Sequence, residues 1–410
     1  MRLGMIGAGF ISKFHTLALT QVRGCAVTGI YSPAGAEALQ ELVQSKRVGT
    51  PRIYSSITEL ANNVDVLAIF VPNPARVSTM EEIAEAVKAG SELSGVICEK
   101  PLGRNVTEAR RLVELAAEAG LKTAYYENQL FMKPLKSQMQ QLELVQNRMG
   151  PLSLVRSSEE HAGPHNAWFW DPVQQGGGVL SDMGCHCIAV GWYALTPNGK
   201  PLTFLKPESV SADVGLLKWG RPEFRQRLLT RFGIDYAETP AEDFATGIIT
   251  YRNPETDQLV KAQFTNSWMF EKQGLRIFAD GMGPGYAFEI NTLLSPLSIF
   301  IGDEAAETIL DTESSLEKAT ASRGLLTIQP NEADLYGYTD ENLETFAAFE
   351  EGRDGMLPWT YGLEITRLVM AAYMSAEKKM TLDLTDPAVE EELEKYVPAI
   401  ARGEGASQLF

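Results

Sequence analysis

The stretch DMGCHC, residues 182–187, contains residue types that are well suited to acid–base or metal chemistry. On a helix, residues four apart share a face, so Asp182 and His186 would project together, whereas Cys185 and Cys187 would point elsewhere. A carboxylate beside an imidazole orients it and raises its basicity, which suits a general base near neutral pH. The same pair is also typical of a purely structural hydrogen bond, so the spacing alone does not decide its role.

A metal site is the main chemical alternative for this stretch. His161 and His165 could join it as zinc ligands, but two cysteines flanking a histidine are not a standard zinc spacing. On a helix Cys185 and Cys187 diverge by nearly half a turn, which also argues against a redox pair. We therefore expect no bound metal and cysteines that act as small packing residues, while acid–base chemistry and a structural hydrogen bond both stay open for Asp182 and His186 at this point.

Lys100 in CEKPLG is a second candidate, because it follows a buried strand pattern. Ligands of open parallel sheets bind beyond the carboxyl ends of the strands. Pro101 restricts the preceding backbone to an extended conformation, which partly fixes the direction of the lysine. By position alone, a site lysine and a surface lysine at a turn are equally compatible with the sequence.

A glycine turn, IGAGFIS, stands near the N-terminus between a strand pattern and a helix pattern. In a dinucleotide fingerprint the first glycine, here Gly7, makes the tight turn, and the second, Gly9, lets a pyrophosphate approach the helix N-terminus. The third glycine position is held by Ser12, which is still small. The turn predicts cofactor binding, with a merely structural turn as the alternative.

The end of the second predicted strand often selects between NAD and NADP. An acidic residue there holds the ribose hydroxyls of NAD, and a nearby arginine accommodates the 2′-phosphate of NADP. This chain has Tyr31, Ser32 and Pro33 at that point, so neither charge is present. The predicted cofactor is therefore NAD or NADP, without a choice between them.

The elements that would position these residues follow two different patterns. Up to about residue 127, continuous apolar strand patterns alternate with amphipathic helix patterns, which predicts a parallel sheet covered on both faces. Five strands are expected there, at residues 2–9, 25–32, 64–72, 94–102 and 121–127. The helix at 105–120 is the clearest, with Asn105 and Glu108 spaced as in a capping box and Gly120 at the C-terminal stop.

Beyond about residue 130, strand patterns follow one another mostly without helices between them, which predicts an open antiparallel sheet. A helix is expected over residues 176–195, a surface excursion over about 196–242, and late amphipathic helices at 341–353 and 361–380. The predicted fold class is an α/β Rossmann domain, 1–127, followed by an α+β domain, 128–410, whose late helices could pack back on the first.

The composition of the chain limits the kinds of protein that it can be. A chain of 410 residues favours two domains, and a formal net charge of −17 excludes a general nucleic-acid binder, which needs a basic face. Four cysteines form no disulfide framework and fit a reducing compartment. No apolar run approaches the roughly 20 residues needed to span a bilayer, and the first strand begins almost at Met1. We therefore expect a cytoplasmic protein with no signal peptide and no membrane or nucleic-acid partner.

Three segments together resemble the Gfo/Idh/MocA family, the glucose–fructose oxidoreductase and inositol dehydrogenase-like enzymes. They are IGAGFIS at 6–12, CEKPLG at 98–103 and GGGVLSDMGCH at 176–186, in matching order and spacing. The resemblance implies hydride transfer between NAD(P) and a secondary alcohol of a sugar, sugar derivative or cyclitol. It also implies a homodimer or homotetramer assembled through the exposed face of the second sheet.

The resemblance carries roles onto matching positions. Lys100 and His186 would flank the reacting hydroxyl, with His186 as the proton acceptor, and Asp182 would hold a substrate hydroxyl. Cofactor contacts would come from strand ends and the first helix turn: Gly7, Gly9, Phe10, Ile11, Ser32, Pro72, Asn73, Glu99 and Lys100. The substrate pocket would be lined by Lys100, His161, His165, Trp168, Asp182 and His186. Trp168, Phe169 and Trp170 could supply an apolar wall for a ring, with ordinary core packing expected for at least one of them.

The chain departs from the family pattern at a few positions, and two further functions stay open. Arg76 stands where the family often has a histidine, and YENQLF, from Tyr126, stands where many members carry an arginine or tyrosine. A cofactor-retaining glycosidase or lyase that works through transient oxidation is one alternative. A non-catalytic NAD(P)-binding sensor is the other, although a sensor does not need Lys100, Asp182 and His186. The glycines 176–178 are expected to allow close approach by a ligand.

Overall fold

The structure is a computed structural model that describes residues 1–272, 274–294, 298–301, 324–327 and 331–409. The chain forms two compact units. The first comprises Met1–Lys133 with Ala333–Thr366, and the second comprises Pro134–Glu332 with Arg367–Phe410. The domain limits expected from the sequence, 1–127 and 128–410, stay a prediction.

Fifteen strands lie in the described part of the chain. They are β1 (Arg2–Ile6), β2 (Ala26–Tyr31), β3 (Gly49–Ile53), β4 (Val66–Ile69), β5 (Gly95–Glu99), β6 (Lys122–Tyr126), β7 (Leu154–Glu160), β8 (Lys206–Gly215), β9 (Phe244–Arg252), β10 (Leu259–Ser267), β11 (Arg276–Gly283), β12 (Tyr286–Asn291), β13 (Ser298–Ile301), β14 (Gly324–Thr327) and β15 (Leu382–Asp383).

The α-helices of the same part of the chain are α1 (Phe10–Leu19), α2 (Ala36–Ser45), α3 (Ile57–Ala61), α4 (Arg76–Lys88), α5 (Val106–Glu118), α6 (Lys133–Met149), α7 (Pro172–Gln175), α8 (Val179–Leu195), α9 (Pro222–Phe232), α10 (Glu332–Leu335), α11 (Tyr338–Glu350), α12 (Trp359–Lys378), α13 (Pro387–Lys395) and α14 (Ala406–Leu409). Of the described helices, none has the length and apolarity that a membrane crossing requires.

The first unit contains a six-stranded sheet in the order β3-β2-β1-β4-β5-β6, with every pair parallel. This is the Rossmann strand order, so the predicted fold class is confirmed for this unit. The order reverses between β1 and β4, and the carboxyl ends beside such a reversal are where ligands of open sheets bind. Gly7 follows β1, and Pro72 and Asn73 follow β4, so the predicted cofactor residues lie at this edge.

The sheet has one strand more than the sequence predicts. The additional strand, β3, has the sequence GTPRI and lies at the edge of the sheet beside β2. Its side chains alternate in burial instead of forming a continuous apolar run. Pro51 also makes the sequence of this segment less typical of a strand. Proline cannot donate to a ladder and is tolerated on edge strands, which explains both its presence and the weak signal.

The second unit is built on a seven-stranded mixed sheet in the order β12-β11-β7-β10-β9-β8-β15. Only β7 and β10 run parallel, and all other neighbours are antiparallel, so the prediction of a mainly antiparallel open sheet is confirmed. The edge strands β12 and β15 are not predicted by the sequence. Both lie at the edges of the sheet, where a strand packs against fewer residues and therefore needs fewer apolar side chains.

One face of this sheet is covered by α8, the helix that carries DMGCHC. Burial along β10 alternates, with Val260, Ala262 and Phe264 buried between more exposed neighbours. The helix approaches so closely that a Cβ placed on Gly191 would lie 2.8 Å from the Cβ of Ala262. All residues of α8 except Tyr193 are buried, so its polar side chains lie in the interior of the unit.

The prediction of an irregular surface segment over about residues 196–242 is only partly correct. The segment contains β8 and a helix that the sequence does not predict, α9. The helix begins at Pro222, a favourable first position, and is followed by its C-cap Gly233 with φ +70°. Only Leu228 of α9 is fully buried, so the periodic apolar signal that would reveal an amphipathic helix is weak here. The late helices α11 and α12 confirm the predictions for 341–353 and 361–380.

Candidate active site

The glycine turn after β1 requires Gly7. This residue has φ +104° and donates its N–H to the carbonyl of Tyr31 at 2.8 Å, which ties the turn to the end of β2. A Cβ at Gly7 would lie 2.6 Å from the carbonyl oxygen of Phe70. Any larger residue would therefore be strained in its backbone and would collide with the strand end at β4.

Gly9 has a different function in the same turn. It is the N-cap of α1 at φ −78°, and a Cβ placed there would meet no atom of the described residues within 4 Å. The space before the first helical turn, which begins with Phe10 and Ile11, is thus open, and backbone N–H groups at a helix start bind phosphate well. Ser12 is fully buried and donates its hydroxyl to the carbonyl of Gly7 at 2.8 Å, so the serine closes the turn. These features fit a pyrophosphate.

The end of β2 leaves the choice of cofactor open. Ser32 donates its hydroxyl to the carbonyl of Ala34 at 2.7 Å, which shapes the local turn. The segment 31–33 carries neither an acidic nor a basic side chain. At β4 the exposed Pro72 precedes Asn73, which is 1% exposed and begins a short 3₁₀ turn that leads into α4.

A buried hydrogen-bond chain supports Glu99, the last residue of β5. The Nε2 of His15 lies 2.9 Å from Oε1 of Glu99, and the Nδ1 lies 3.0 Å from Nδ2 of Asn342. Since Oδ1 of Asn342 accepts the hydroxyl of Tyr126 at 3.1 Å, its Nδ2 is a donor, so Nδ1 of His15 accepts. His15 therefore carries its proton on Nε2, and this N–H donates a hydrogen bond to Oε1 of Glu99.

Arg76 clamps the two strand ends that should face the cofactor. It is 4% exposed and donates to the carbonyls of Glu99 at 2.6 Å, Lys100 at 3.1 Å and Val71 at 3.5 Å. Its planar fork of donors suits several fixed acceptors better than a single ammonium group would. The substitution at this family position thus supplies a backbone clamp between the ends of β4 and β5.

Lys100 lies directly at the end of β5, as predicted. Its backbone N–H donates to Oε2 of Glu99 at 3.1 Å, and its carbonyl is held by Arg76. The residue is half-buried. In the first unit the structure thus brings Gly7, Gly9, Asn73, Glu99 and Lys100 to the carboxyl edge of one sheet.

Asp182 and His186 lie in the second unit, one turn apart on α8, and are 5% and 4% exposed. Glu159 of β7 is a carboxylate near the imidazole that the sequence does not suggest, and its Oε2 lies 3.9 Å from Nε2 of His186. Glu159 is 4% exposed. The available signal is an acidic residue at a buried position of a strand, but predicting its partner requires knowing that α8 packs on β7.

The two cysteines of DMGCHC act as packing and hydrogen-bonding groups. All four cysteines of the chain are free thiols, and Cys185 and Cys187 are each 1% exposed. The thiol of Cys185 donates to the carbonyl of Asp182 at 3.6 Å. The sulfur of Cys187 accepts from Nδ2 of Asn266 at 3.2 Å, which ties α8 to β10.

Three of the predicted substrate residues, His161, His165 and Trp168, follow β7 in the chain. His161 is 2% exposed, and its Nδ1 accepts the N–H of Gly163 at 2.9 Å. Trp168 is half-buried and stacks on Phe169 with ring centroids 3.9 Å apart. Trp170 belongs instead to the core, with 1% exposure, so the packing alternative holds for that aromatic residue. His165, which lies between His161 and Trp168 in the sequence, is half-buried.

The glycines before α8 serve a purpose other than the expected one. A Cβ on Gly178 would lie 2.3 Å from the carbonyl oxygen of Glu242, and one on Gly177 would lie 2.1 Å from the hydroxyl of Tyr373. The expectation of room for a ligand is therefore wrong at Gly177 and Gly178. Their space is taken by Glu242 and Tyr373, to which no local sequence pattern points.

Comparison with known proteins fits both units. Residues 1–127 match the oxidoreductase family with an NAD-binding Rossmann fold, and residues 141–282 match the GFO/IDH/MocA C-terminal domain. Together the two matches cover more than half of the chain. The chain belongs to the GFO/IDH/MocA family of oxidoreductases. The resemblance inferred from its motifs is confirmed, and so is an NAD-binding Rossmann domain.

Individual relatives of this GFO/IDH/MocA protein are distant. The trans-1,2-dihydrobenzene-1,2-diol dehydrogenase of Bos taurus is 27% identical over 218 residues, 52% of this chain and 59% of that protein. The chain thus spans little more than half the length of this curated relative.

Two solved structures share the fold across nearly the whole chain. GenD2 from gentamicin A biosynthesis, in complex with NAD, is 17% identical with a TM-score of 0.71, covering 94% of this chain and 97% of that one. A myo-inositol dehydrogenase from Corynebacterium glutamicum is 18% identical with a TM-score of 0.66, covering 94% and 99%.

Proposed function

We propose that this protein transfers a hydride between NAD(P) and a secondary alcohol of a sugar, a sugar derivative or a cyclitol. The observation that carries the proposal is the buried acid–base group of the second unit, in which His186 lies 3.9 Å from Glu159 and one helical turn from Asp182. A neighbouring carboxylate favours the protonated form of an imidazole, which is what a proton acceptor needs.

The proposed roles follow from the chemistry of each side chain. When bound, NAD(P) supplies the two-electron acceptor or donor at its nicotinamide ring. In the oxidative direction His186 takes the hydroxyl proton while the alcohol carbon loses a hydride and becomes a ketone. Lys100 polarises the reacting oxygen, and Asp182 accepts a hydrogen bond from a substrate hydroxyl. In reduction His186 returns the proton to the oxygen.

The residues of the first unit would hold the cofactor. The open space at Gly9 and the N-terminus of α1, with Phe10 and Ile11 in its first turn, suit a pyrophosphate. Four further residues are proposed to contact the cofactor near the strand ends: Ser32, Pro72, Asn73 and Glu99. Gly7 makes the turn that this arrangement requires.

A ring bearing adjacent hydroxyls is the proposed substrate class. The names of two relatives, a dihydrobenzene-1,2-diol dehydrogenase and a myo-inositol dehydrogenase, both specify six-membered carbon rings with neighbouring hydroxyl groups. In this chain, the half-buried Trp168 offers an apolar surface for a ring face, and His161 and His165 offer polar groups for hydroxyls.

Cofactor binding and turnover test this proposal together. Titration with NADH and with NADPH, followed by nicotinamide fluorescence, should show saturable binding of at least one form. A panel of myo-inositol, glucose and trans-1,2-cyclohexanediol should then yield free reduced cofactor with the preferred form. A cofactor that stays bound without net reduction would favour transient oxidation in a lyase or glycosidase, or a sensor. Absence of binding to either form would refute the proposal.

We further propose that the exposed face of the second sheet joins copies of the chain into a dimer or tetramer. Ile248 and Met282 lie on the face opposite α8 and are 42% and 40% exposed, so this face offers apolar side chains to a second copy. Light scattering after size exclusion should report two or four chains. Replacing Ile248 with lysine should yield monomers, and a wild-type monomer would contradict the proposal.

We also propose a cytoplasmic location, because all four cysteines are free thiols and three of them are buried. Fractionation of cells that express the protein, followed by immunoblotting, tests this. Recovery in an oxidising compartment would contradict it.

A further inference from the structure

The first turn of α8 is held by a residue from a distant part of the chain. The N–H of Gly178 lies 3.0 Å from both carboxylate oxygens of Glu242, and the N–H of Leu180 lies 3.0 Å from Oε1. Val179 donates to the backbone carbonyl of the same glutamate at 3.0 Å. Three of the four N–H groups that a helix start leaves without an intrahelical acceptor are thus satisfied by one residue.

Tyr373 of α12 completes this anchor. Its hydroxyl oxygen accepts the N–H of Ser181 at 3.1 Å and lies 3.2 Å from the N–H of Gly178. The same hydroxyl donates its proton to Oε1 of Glu242 at 2.5 Å. All four donors at the start of α8 therefore end on Glu242 and Tyr373. The intrahelical ladder begins at the next residue, Asp182, whose N–H donates to the carbonyl of Gly178 at 3.1 Å.

The anchor replaces an ordinary helix cap. Gly178 is the N-cap residue and has no side chain to accept a hydrogen bond, although serine, threonine or aspartate would normally occupy this position. Those residues do not fit, because a Cβ there would also lie 2.7 Å from Oε2 of Glu242. Gly177 adopts φ +144°, and a Cβ on it would lie 2.1 Å from the hydroxyl oxygen of Tyr373. Glycine at the N-cap therefore leaves the space that Glu242 needs, and Glu242 supplies the hydrogen bonds that a capping side chain would otherwise make.

Charge and burial make this anchor unusual. Glu242 is fully buried, and burial raises its pKa to about 7, against the hydrogen bonds from Tyr373, Leu180 and Gly178, which lower it. Burial, and then the charge of Glu242, raise the pKa of Tyr373 well above its ordinary range, so the phenol keeps its proton. A carboxylate at a helix N-terminus is further stabilised by the helix dipole. Such a group is costly to bury for packing alone.

We propose that Glu242 and Tyr373 are positioning residues for the reaction: by fixing the first turn of α8 they set the directions of Asp182 and His186. Asp182 is the first residue after the anchored turn, so a shift of that turn moves its side chain directly. His186 follows one turn later on the same face. The inference rests on the function proposed above for these two side chains, and it assigns a cause to their orientation.

Two variants and two matched controls test the proposal. Glu242→Gln keeps the shape but replaces one acceptor by a donor that faces other donors, and Tyr373→Phe removes the hydroxyl that bridges Ser181 and Glu242. Glu238→Gln makes the same change at an exposed position nearby. Tyr251→Phe removes a hydroxyl from another fully buried tyrosine, one whose hydroxyl makes no hydrogen bond within the described residues.

We expect both anchor variants to lower kcat by about 10-fold or more, since small misplacements of reacting groups have effects of that size. The affinity for NAD(H) or NADP(H) should stay near that of the wild type, because the cofactor residues lie in the other unit. Both controls should keep wild-type kcat. Anchor variants that fold and keep wild-type kcat would overturn the proposal.

A second readout does not depend on activity. The chain has only four histidines, so the ring signals in an NMR spectrum are few, and His186→Asn identifies the one from α8. The signal of His186 and its pH titration should change in Glu242→Gln and Tyr373→Phe but not in the controls. An unchanged His186 signal in both folded variants overturns the positioning proposal. Absence of turnover in the wild type would instead refute the proposed function while leaving this readout intact.

Discussion

The Nε2 of His15 lies 2.9 Å from Oε1 of Glu99, and both side chains are at least 95% buried. The pair connects the helix of the glycine turn to the strand end that bears Lys100. Because Asn342 fixes the other ring nitrogen as an acceptor, the imidazole presents a proton to the carboxylate. If Glu99 lost this donor, its Oε1 would stay buried without the hydrogen bond that offsets part of its desolvation, and only the bond from the N–H of Lys100 to Oε2 would be left of the two described above.

His15→Phe should therefore lower the free energy of unfolding by about 1–3 kcal/mol, the usual effect of leaving a buried polar group unsatisfied. It should also weaken cofactor binding, because Glu99 and Lys100 would lose a fixed position. Urea denaturation and NADH titration measure the two effects. In the double variant His15→Phe/Glu99→Gln the loss of stability should be smaller than the sum of the single losses. Additive losses would show that the two side chains do not interact.

Arg76→Lys should reduce both stability and cofactor affinity although the charge is kept. A lysine ammonium cannot reach the three carbonyls of Val71, Glu99 and Lys100 with the geometry of a guanidinium fork. We expect a loss of roughly 1–3 kcal/mol in thermal or urea unfolding. Arg23→Lys, at an exposed position of the same unit, is the control. Equal behaviour of the two variants would contradict the clamp.

His186→Ala should lower turnover by about 100-fold or more, the range of a general acid–base group, while leaving cofactor affinity nearly unchanged. Lys100→Met should also lower turnover, whereas Lys88→Met, whose side chain is 80% exposed, should not. Steady-state kinetics and NADH titration separate the two effects. A parallel loss of cofactor affinity in His186→Ala would mean that this residue serves binding, and wild-type rates in Lys100→Met would remove Lys100 from the mechanism.

Glu159→Gln should shift the pH dependence of kcat in the oxidative direction. Removing the carboxylate 3.9 Å from His186 makes the protonated imidazole less favourable, so the pH below which activity is lost should fall. The neighbouring Glu160→Gln is a matched control, because Glu160 pairs with Arg276 instead. The measurement is a profile of kcat over roughly pH 5–9, a range that includes the pH values at which histidine side chains titrate. A shift of the same size in both variants would refute a specific role for Glu159.

Glu242→Gln should change how stability depends on pH. Burial raises the pKa of Glu242 from 4.5 to about 7, so between these values the folded protein holds a proton that the unfolded chain has released. The contribution of this group to stability is present at the acidic end and is lost as the pH rises through that window. Glutamine does not titrate. The unfolding free energy of the variant minus that of the wild type should therefore increase by up to roughly 3 kcal/mol from the acidic to the neutral end.

Urea denaturation at a series of pH values measures this difference. The exposed Glu238→Gln should show no such trend, since its carboxylate is in water in both states. A flat difference for Glu242→Gln across the window would mean that the carboxylate titrates at its ordinary pH in the folded protein.

The sequence predicts those parts of the fold whose signals are local. The central strands β1, β4 and β5 are continuous apolar runs, and the cap of α5 is visible as Asn105 and Glu108 three residues apart. The strand β3 is not predicted, because an edge position tolerates polar residues and proline. The helix α9 is not predicted either, because it buries only one residue.

The same division holds for the site. Gly7 and Lys100 could be placed at strand ends and Asp182 on a helix from the sequence, because those positions depend on neighbours within a few residues. The partners that hold them could not be identified in this way, because those contacts join residues far apart in the chain. His15 and Glu99 are separated by 84 positions, and Gly178 and Tyr373 by 195. No local pattern contains that information.

The anchor at α8 also limits how this protein can vary. A side chain at Gly177 or Gly178 would need the space that Tyr373 and Glu242 fill, so a larger residue there is acceptable only together with changes at those two positions. Among homologues these positions should therefore covary despite their separation along the chain. Libraries that randomise the glycine run alone to alter substrate range should return mostly misfolded clones. Libraries that vary Trp168 and the exposed Ala167 should leave the anchor intact.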